Sequence, residues 1–331
     1  MKKIPFIIAE MSGNHNQSLD RALAIVDAAA EAGAHALKLQ TYTADTITMK
    51  NVYTIVDKKS LWAGRDLYDL YQEAHTPWEW HKAIFDRAKE KGIICFSTPF
   101  DETAVDFLEE LDAPIYKVAS FEVNHIPLLK YIAKTGKPVI ISVGASTLQE
   151  IELAIKTLKD NGCNDLTILK CTSTYPASPE DTNLLTIPDM AKLFNCKVGL
   201  SDHTMGIGVS IAAVALGAEV IEKHFCLNRD EGGVDSAFSL EPQELKSLVE
   251  ELERAYLSLG KVNYDILPAE ENSRIFKRSI YASEDIKIGD KFTCDNMKIV
   301  RPSFGLEPKY FESQLGKISN KYFKKGEPIT E

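Results

Sequence analysis

The chain has 331 residues, of which 44% are hydrophobic and 26% charged, a composition typical of a globular protein with a large core. Its formal net charge of −10, from 38 basic and 48 acidic residues, argues against a nucleic-acid backbone as partner, although a local cluster of lysines can still bind an anion. Six scattered cysteines without a CxxC pair and no apolar run of membrane-spanning length predict a cytoplasmic protein with reduced thiols.

Eight short apolar, β-branched segments recur along the first two-thirds of the chain. They lack strict polar–apolar alternation, as is typical of parallel strands covered on both faces. The first lies in the N-terminal MKKIPFIIAE, whose apolar part is too short for a signal peptide. The predicted strands are residues 5–10, 35–40, 93–98, 115–120, 138–143, 166–171, 197–202 and 219–224.

Helical patterns separate these strands. SLDRALAIVDAAAEAG places apolar residues at i, i+3, i+4 and i+7, and Gly33 is positioned to end the helix. Thr147 and Glu150 have the spacing of a capping box. Alternating strand–helix units over about 260 residues predict a (β/α)8 TIM barrel, an α/β fold. A doubly wound open sheet is the alternative, but no glycine-rich fingerprint follows the first strand.

One connection is much longer than the others, residues 43–80 between the second strand and its helix. In a barrel it would lie over the active face. Its more conspicuous side chains are predicted either to line a pocket or, for most of them, to pack the short helix LYDLYQEA. They are Trp62, Arg65, Tyr68 and Tyr71.

The C-terminal part of the sequence changes character after Gly260. A polar connector leads into a segment with two similar turn signals, KIGDKFT and KKGEPIT, which are typical of tight turns between short strands. We therefore predict a catalytic barrel at residues 1–260, a linker at 261–277 and a small β-rich domain at 278–331.

Polar side chains lie at or just beyond the carboxyl ends of the predicted strands. In a TIM barrel these ends converge on the face where active sites are built. Each residue alone has a structural explanation, but the one-sided placement of the whole set favours a functional site. The set is Glu10, Lys38, Gln40, Thr98, Lys117, Ser120, Glu122, Ser142, Thr172, Ser173, Ser201, Asp202, His203 and His224.

The residue types in this set permit more than one chemistry. His203 and His224 are one strand–helix unit apart, which indicates either a half-open catalytic metal site or a hydrogen-bonded core pair. Lysines and hydroxyls can surround a phosphate or carboxylate, and Glu10 and Glu122 can transfer protons. The lysines also permit a Schiff-base aldolase. The residues alone leave these mechanisms open.

The segment VIEKHF, residues 220–225, places three ionisable groups at the end of a buried strand. Glu222 and His224 are two positions apart, so their side chains share a face in an extended strand. We expect Glu222 to face the barrel interior and support the metal site, and Lys223 to point toward the helices or the rim.

Seven motifs in order resemble the sialic acid synthase family: IAEMSGNHN, KLQTYT, FSTPF, YKVASFE, CTSTYP, VGLSDHT and IEKHF. RPSFG lies in a C-terminal segment similar to the type III antifreeze (SAF) fold. The resemblance covers essentially the whole chain. It implies an enzyme that condenses phosphoenolpyruvate with an N-acylated hexose, uses a divalent metal (commonly Mn2+, with Mg2+ or Co2+ as alternatives) and forms a domain-swapped homodimer.

The resemblance also implies roles for individual residues. The catalytic carboxylates are Glu10 and Glu122, and the metal ligands are His203 and His224. The phosphoenolpyruvate-binding residues are Lys38, Thr98, Lys117, Ser120, Ser142, Ser173 and Ser201. The sugar-binding residues are Gln40, Tyr175, Asp235 and Arg301, the last reaching the site from the other subunit.

One position departs from the branch that acts on N-acetylmannosamine, which has asparagine where this chain has Ser173. The SLWAGRDLYDLYQEAHTPWEWH insert and SFGLEP instead resemble the branch whose sugar is 2,4-diacetamido-2,4,6-trideoxy-altrose. The alternatives are a legionaminic or N-acetylneuraminic acid synthase of the same family, a Schiff-base aldolase, and a non-catalytic carbohydrate-binding protein.

Overall fold

A computed structural model describes residues 5–58 and 60–331, so the first four residues of the predicted catalytic domain and Lys59 lie outside it. The chain divides into two compact units, residues 1–260 and 261–331. The segment predicted as a linker, 261–277, belongs to the second unit. None of the helices in the described ranges combines the length and apolarity needed to cross a bilayer.

The first unit is a closed barrel of eight parallel strands in sequential order, which confirms the predicted fold class. Pairing of the last strand with the first closes the barrel. The fourth strand is shorter than predicted because Ser120–Glu122 form a 3-10 turn. The strands are β1 Phe6–Glu10, β2 Ala36–Thr41, β3 Ile94–Pro99, β4 Tyr116–Val118, β5 Val139–Ser142, β6 Leu166–Cys171, β7 Lys197–Asp202 and β8 Val220–His224.

Helices surround the barrel. The side chain of Ser18 caps the first of them, and the capping box of Thr147 and Glu150 is confirmed. Gly33 lies just beyond the first helix at a φ of +89°, a conformation that glycine adopts without strain. The helices are α1 Leu19–Glu31, α2 Ala44–Ile47, α3 Leu67–Ala74, α4 Trp78–Lys91, α5 Glu102–Glu110, α6 Ile126–Ala133, α7 Leu148–Asp160, α8 Thr186–Phe194, α9 Gly208–Ala215 and α10 Pro242–Ser258.

The barrel interior is apolar at one end and polar at the other. Ile8, Phe96, Ile140 and Leu169 belong to a buried apolar cluster inside the barrel. Because side chains two positions apart share a face of a strand, Glu10 lies above Ile8 on the same inner surface. The apolar plug fills the amino end of the barrel, and the polar residues are concentrated at its carboxyl end.

The second unit has a small core of its own around one antiparallel strand pair, β9 Ser279–Ala282 and β10 Met297–Val300, followed by α11 Phe311–Gln314. A Cβ added to Gly305 would lie 2.4 Å from the carbonyl oxygen of Ile280. The glycine of RPSFG is therefore required by close packing of the backbone against β9. The core consists of Ile280, Ala282, Ile286, Phe292, Met297, Phe323 and Ile329.

Candidate active site

Two buried lysines extend into the polar end of the barrel. Lys38 Nζ lies 2.5 Å from Glu10 Oε2 and donates to Thr98 Oγ1 at 3.3 Å. Lys117 Nζ donates to Ser142 Oγ at 2.7 Å. Their positions follow from the strands, because Lys38 pairs in register with Glu10 across β1 and β2. The sequence-predicted anion ligands therefore lie together, each ammonium beside a hydroxyl.

Glu222 links the two lysines. Its Oε1 accepts a hydrogen bond from Ser201 Oγ at 3.0 Å and lies 3.8 Å from Lys117 Nζ. Its Oε2 lies 3.8 Å from Lys38 Nζ. The prediction that Glu222 faces the interior is confirmed. Glu222 is thus a neighbour of the two lysines predicted to bind an anion, and the charge of His203 also acts on it.

The charges of this cluster depend on one another. Burial raises the pKa of Glu222, but the positive charges of Lys117 and Lys38 outweigh that effect and lower it below its usual value. Burial raises the pKa of Glu10, which Lys38 opposes only in part. Burial also lowers the pKa of Lys117, against the attraction of Glu222. An anionic substrate beside both lysines would stabilise their charged forms.

The second predicted catalytic carboxylate, Glu122, follows β4 in the 3-10 turn. Burial raises its pKa to about 7, which the charge of Lys117 only partly offsets. Its Oε2 is buried and has no hydrogen-bond partner among the described residues. In the same turn, Ser120 Oγ accepts a hydrogen bond from the Gly144 backbone at 3.1 Å. Glu122 is therefore poised to exchange a proton near neutral pH.

A chain of hydrogen bonds connects the predicted sugar ligands to Glu10. Gln40 Nε2 donates to Glu10 Oε1 at 3.1 Å and to Ser12 Oγ at 3.0 Å, and Ser12 donates to Asp235. Asp235 is buried, and burial raises its pKa. The hydrogen bond between Ser12 and Asp235 joins the loops after β1 and β8, the two strands whose pairing closes the barrel. Three of the predicted residues therefore form one network with Ser12.

The two histidines lie side by side, with ring centroids 5.3 Å apart. Nδ1 of His203 lies 2.9 Å from the Thr172 carbonyl oxygen. A carbonyl only accepts hydrogen bonds, so Nδ1 carries a hydrogen, and in the neutral ring Nε2 has a free lone pair. Burial favours that neutral ring, but the hydrogen bond and charge of Cys171 outweigh burial and raise the pKa of His203. Burial lowers the pKa of His224 well below its usual value, which favours the neutral ring that binds metals.

The donor set fits a half-open metal site. Nδ1 of His224 is buried without a hydrogen-bond partner among the described residues. Within the same residues, no group of three or more histidine, cysteine, aspartate or glutamate side chains is arranged to hold a metal. Two imidazoles would be the protein ligands of a metal here, and substrate and water would supply the others.

Aromatic rings cover the histidines. The Tyr175 ring lies 4.5 Å from that of His203, and the Phe238 ring lies 4.9 Å from that of His224. Phe238 was not predicted, because nothing in the surrounding SAFSL distinguishes it from a core residue. These rings exclude water from one side of the histidine pair, which strengthens electrostatic interactions there.

Ser173 lies beside a thiol and a glycine. Its Oγ is 3.6 Å from Cys171 Sγ, and a Cβ added to Gly144 would lie 2.3 Å from this oxygen. Burial raises the pKa of the Cys171 thiol, but the hydrogen bond and charge of His203 outweigh it and lower the pKa to about 7. A side chain at position 144 would therefore collide with the Ser173 hydroxyl, so the glycine there is required by close packing.

The long connection after β2 brings Trp62 and Tyr71 to this region; burial and the nearby charges of Glu122 and Asp235 raise the pKa of Tyr71. Trp62 donates from Nε1 to the Val234 carbonyl at 2.9 Å, and its ring lies 5.7 Å from that of Tyr175. Arg65 instead pairs with Glu73, and Tyr71 packs against Tyr42. Of these contacts, only that between Arg65 and Glu73 lies within the connection, so the packing of most of these side chains against the segment itself stays a prediction.

The remaining predicted sugar ligand, Arg301, lies in the second unit directly after β10 and is exposed. It lines a cavity of about 510 Å³ together with two other cations, Lys277 and Arg278, and with Phe276.

The chain matches known families over most of its length. The model of the NeuB family matches residues 25–264, and that of the SAF domain matches residues 277–331. A pseudaminic acid synthase from Campylobacter jejuni is 46% identical over 331 residues, covering 100% of this chain and 96% of the relative. One from Helicobacter pylori is 41% identical over 332 residues, covering 100% and 98%.

A solved structure shares the architecture. The crystal structure of N-acetylneuraminic acid (sialic acid) synthetase from Leptospira borgpetersenii, in complex with citrate, is 34% identical. It superposes with a TM-score of 0.72 and covers 82% of this chain and 90% of that chain.

Proposed function

Because the chain belongs to the NeuB family, whose members condense phosphoenolpyruvate, we propose that it makes pseudaminic acid. The substrates are phosphoenolpyruvate, 2,4-diacetamido-2,4,6-trideoxy-altrose and water, and the products are pseudaminic acid and phosphate. The observation that carries this proposal is the likeness to pseudaminic acid synthases over the full chain. The barrel interior, with its paired lysines and histidines, supplies the chemistry the reaction needs.

Phosphoenolpyruvate is held by the lysines and hydroxyls of the strand ends. Lys38 and Lys117 face its phosphate and carboxylate, and Thr98 and Ser142 already lie within hydrogen-bond distance of these ammonium groups. We assign Ser120, Ser173 and Ser201 to the same ligand. Fixed donors around a bound anion provide positioning and charge stabilisation throughout the reaction.

His203 and His224 hold the divalent cation, which we propose is Mn2+. When bound, the cation acts as a Lewis acid on the open-chain aldehyde of the sugar. Carbon 3 of phosphoenolpyruvate attacks that aldehyde carbon, water adds at carbon 2, and the tetrahedral adduct loses phosphate by cleavage of the C–O bond. Glu10 and Glu122 exchange the protons that these steps require.

The sugar lies between the Gln40–Asp235 network and the aromatic rings. Gln40 and Asp235 offer hydrogen bonds to its hydroxyl and acetamido groups, and Tyr175 covers one face. The 6-deoxy sugar has an apolar methyl group where N-acetylmannosamine has a hydroxyl group. A tryptophan ring beside Tyr175 is physically suited to that group.

We further propose that the enzyme works as a homodimer in which Arg301 of one subunit binds the sugar in the other. Segment 261–276 exposes large apolar side chains, including Val262 at 87% and Tyr264 at 97%. Such a surface on a cytoplasmic enzyme is expected to be covered by a partner, and the proposed occupant is a second copy of this chain.

A substrate panel tests the proposed function. Purified enzyme with phosphoenolpyruvate and Mn2+ is given the altrose derivative, the precursor of legionaminic acid or N-acetylmannosamine, and phosphate release is measured. We expect the altrose derivative to give a kcat/KM at least about tenfold above the others. Faster turnover of another sugar would replace the proposed substrate, and borohydride trapping with insensitivity to chelators would replace the mechanism by a Schiff base.

A further inference from the structure

A buried ion pair joins β7, which directly precedes His203, to β8, which ends at His224. Asp202 on β7 and Lys223 on β8 are register partners, and Asp202 Oδ2 lies 3.1 Å from Lys223 Nζ. Their side chains are 0% and 1% exposed. Because side chains alternate along a strand, these two point toward the helices while Glu222 and His224 point inward. Each member of the pair directly precedes one of the histidines.

The pair belongs to a fully used hydrogen-bond network. Lys223 donates its three ammonium hydrogens to Asp202 Oδ2, to the Thr204 carbonyl at 2.6 Å and to the Gly206 carbonyl at 2.8 Å. Asp202 Oδ1 accepts from the backbone and hydroxyl of Thr204 at 2.9 and 2.7 Å. Its Oδ2 accepts from Ser210 Oγ on α9 at 2.6 Å. The network binds the loop after β7 to both β8 and α9.

The two histidines are positioned by different means. His224 ends β8 and is held by register pairing with Glu10 on β1. His203 lies one residue beyond the end of β7, so the conformation of the loop, together with the hydrogen bond of Nδ1 to the Thr172 carbonyl, sets where its ring points. The contacts of Lys223 with the Thr204 and Gly206 carbonyls hold the residues that follow His203.

We propose that Asp202 and Lys223 are positioning residues that hold His203 at the distance from His224 at which both rings bind one divalent cation. The inference rests on the proposed function only in taking these histidines as metal ligands. Neither residue touches the cation. A buried ion pair is weak evidence for a stabilising role, and this one is placed where it ties together the two elements that carry the ligands.

The test uses a variant that removes the link without leaving a buried charge. In the double variant Asp202→Asn, Lys223→Met both charges disappear, and asparagine can still accept the Thr204 hydrogen bonds. Ser210→Ala is a milder variant that keeps the ion pair and removes one hydrogen bond to Asp202. Tyr116→Phe is the matched control, because Tyr116 also points outward beside a site lysine and its hydroxyl donates to Glu109 at 2.6 Å.

The measurement is the Kd of Mn2+ for the metal-free full-length protein without substrates, by titration calorimetry and by the electron paramagnetic resonance signal of free Mn2+. We expect the double variant to bind Mn2+ about 10- to 100-fold more weakly, as loss of groups that orient metal ligands does. Ser210→Ala should show a smaller loss of about threefold, and Tyr116→Phe none. Phosphoenolpyruvate affinity should stay within about threefold for all three.

If Asp202 and Lys223 only stabilise the fold, the folded variants should bind Mn2+ with the wild-type Kd. Circular dichroism and thermal unfolding identify which variants are folded, and a wild-type Kd for Mn2+ in the folded variants would overturn the proposal. If the double variant does not fold, Ser210→Ala decides by the same criterion. His203→Ala tests separately whether the histidines are metal ligands. If they are, this variant does not bind Mn2+, and the result does not depend on which sugar the enzyme accepts.

Discussion

Glu122 shows how the fold changes the behaviour of a single residue. Its carboxyl group is placed in the turn after β4, and burial raises its pKa to about 7 against the opposing charge of Lys117. The unfolded chain ionises this group near the ordinary glutamate value. The folded protein therefore binds one proton more than the unfolded chain between about pH 4.5 and pH 7.

This difference predicts a pH-dependent stability. Because the folded-state pKa is raised, the contribution to stability is complete below the unfolded pKa and is lost as the pH rises through about 7. Glu122→Gln cannot ionise, so its free energy of unfolding should rise relative to wild type between about pH 5 and pH 8, by up to about 3 kcal/mol. Urea unfolding of both proteins at these pH values measures the change.

The control for this prediction is Glu152→Gln, which changes an exposed glutamate on α7. The free energy of unfolding of Glu152→Gln should differ from that of wild type by the same amount at about pH 5 and about pH 8. A flat difference for Glu122→Gln as well would show that the carboxyl group titrates normally in the folded protein.

At the scale of elements, the sequence predicts the strands and much of the site because one physical rule governs both. Buried parallel strands need continuous apolar runs, so a charged residue at the end of such a run marks the carboxyl face of the barrel. Lys38 and Lys117 are found by this rule. Ser120, predicted as the last strand residue, and Glu122, predicted just beyond it, are found as well, although both lie in a 3-10 turn.

Contacts between distant loops are not predictable in this way. The hydrogen bond between Ser12 and Asp235 joins residues 223 positions apart, and it depends on how the barrel closes. The covering of His224 by Phe238 depends on a short 3-10 turn, Ser236–Phe238, within the loop after β8. The role of Lys223 also escaped the sequence pattern, because alternation indicates only that it points outward and the carbonyl groups it binds belong to a loop.

The long connection after β2 gives a prediction at this scale. Its Trp62 contacts Tyr175 and the backbone of Val234, next to Asp235. Trp62→Ala should therefore raise the KM for the sugar by about tenfold while leaving the KM for phosphoenolpyruvate within about threefold. Steady-state kinetics with each substrate varied in turn measures both constants.

Trp62→Phe keeps an aromatic ring and loses only the indole hydrogen bond, so its KM for the sugar should rise less than that of Trp62→Ala. Arg65→Ala is a second control from the same connection, because its partner Glu73 is exposed and belongs to the connection itself. Equal effects on both substrates in Trp62→Ala would indicate that the connection supports the whole site rather than the sugar.

At the scale of the whole molecule, the chain has two compact units and an apolar surface that its own residues leave exposed. Val262, Tyr264 and Phe276 are all exposed in the second unit, next in sequence to the cations around Arg301. In the proposed dimer, the contacts that bury this apolar surface would also bring Arg301 to the site of the other subunit.

A subunit-mixing experiment tests this arrangement. His203→Ala and Arg301→Ala should each be inactive alone, the first for lack of a metal ligand and the second for lack of a sugar contact. If Arg301 acts on the partner's site, a mixed dimer has one site with both residues intact and one with neither. Random pairing after co-expression of the two variants should then restore about a quarter of the wild-type activity per site.

Differently tagged variants allow the mixed dimer to be purified and its activity compared with each parent. If Arg301 acts within its own subunit, every site in the mixed dimer carries one defect, and no activity returns. A mixed dimer of His203→Ala with His224→Ala is the matched control, because both residues belong to the same barrel and cannot complement each other. Activity in the mixed dimer of His203→Ala with Arg301→Ala, and none in that of His203→Ala with His224→Ala, would therefore show that Arg301 acts in the active site of the opposite subunit.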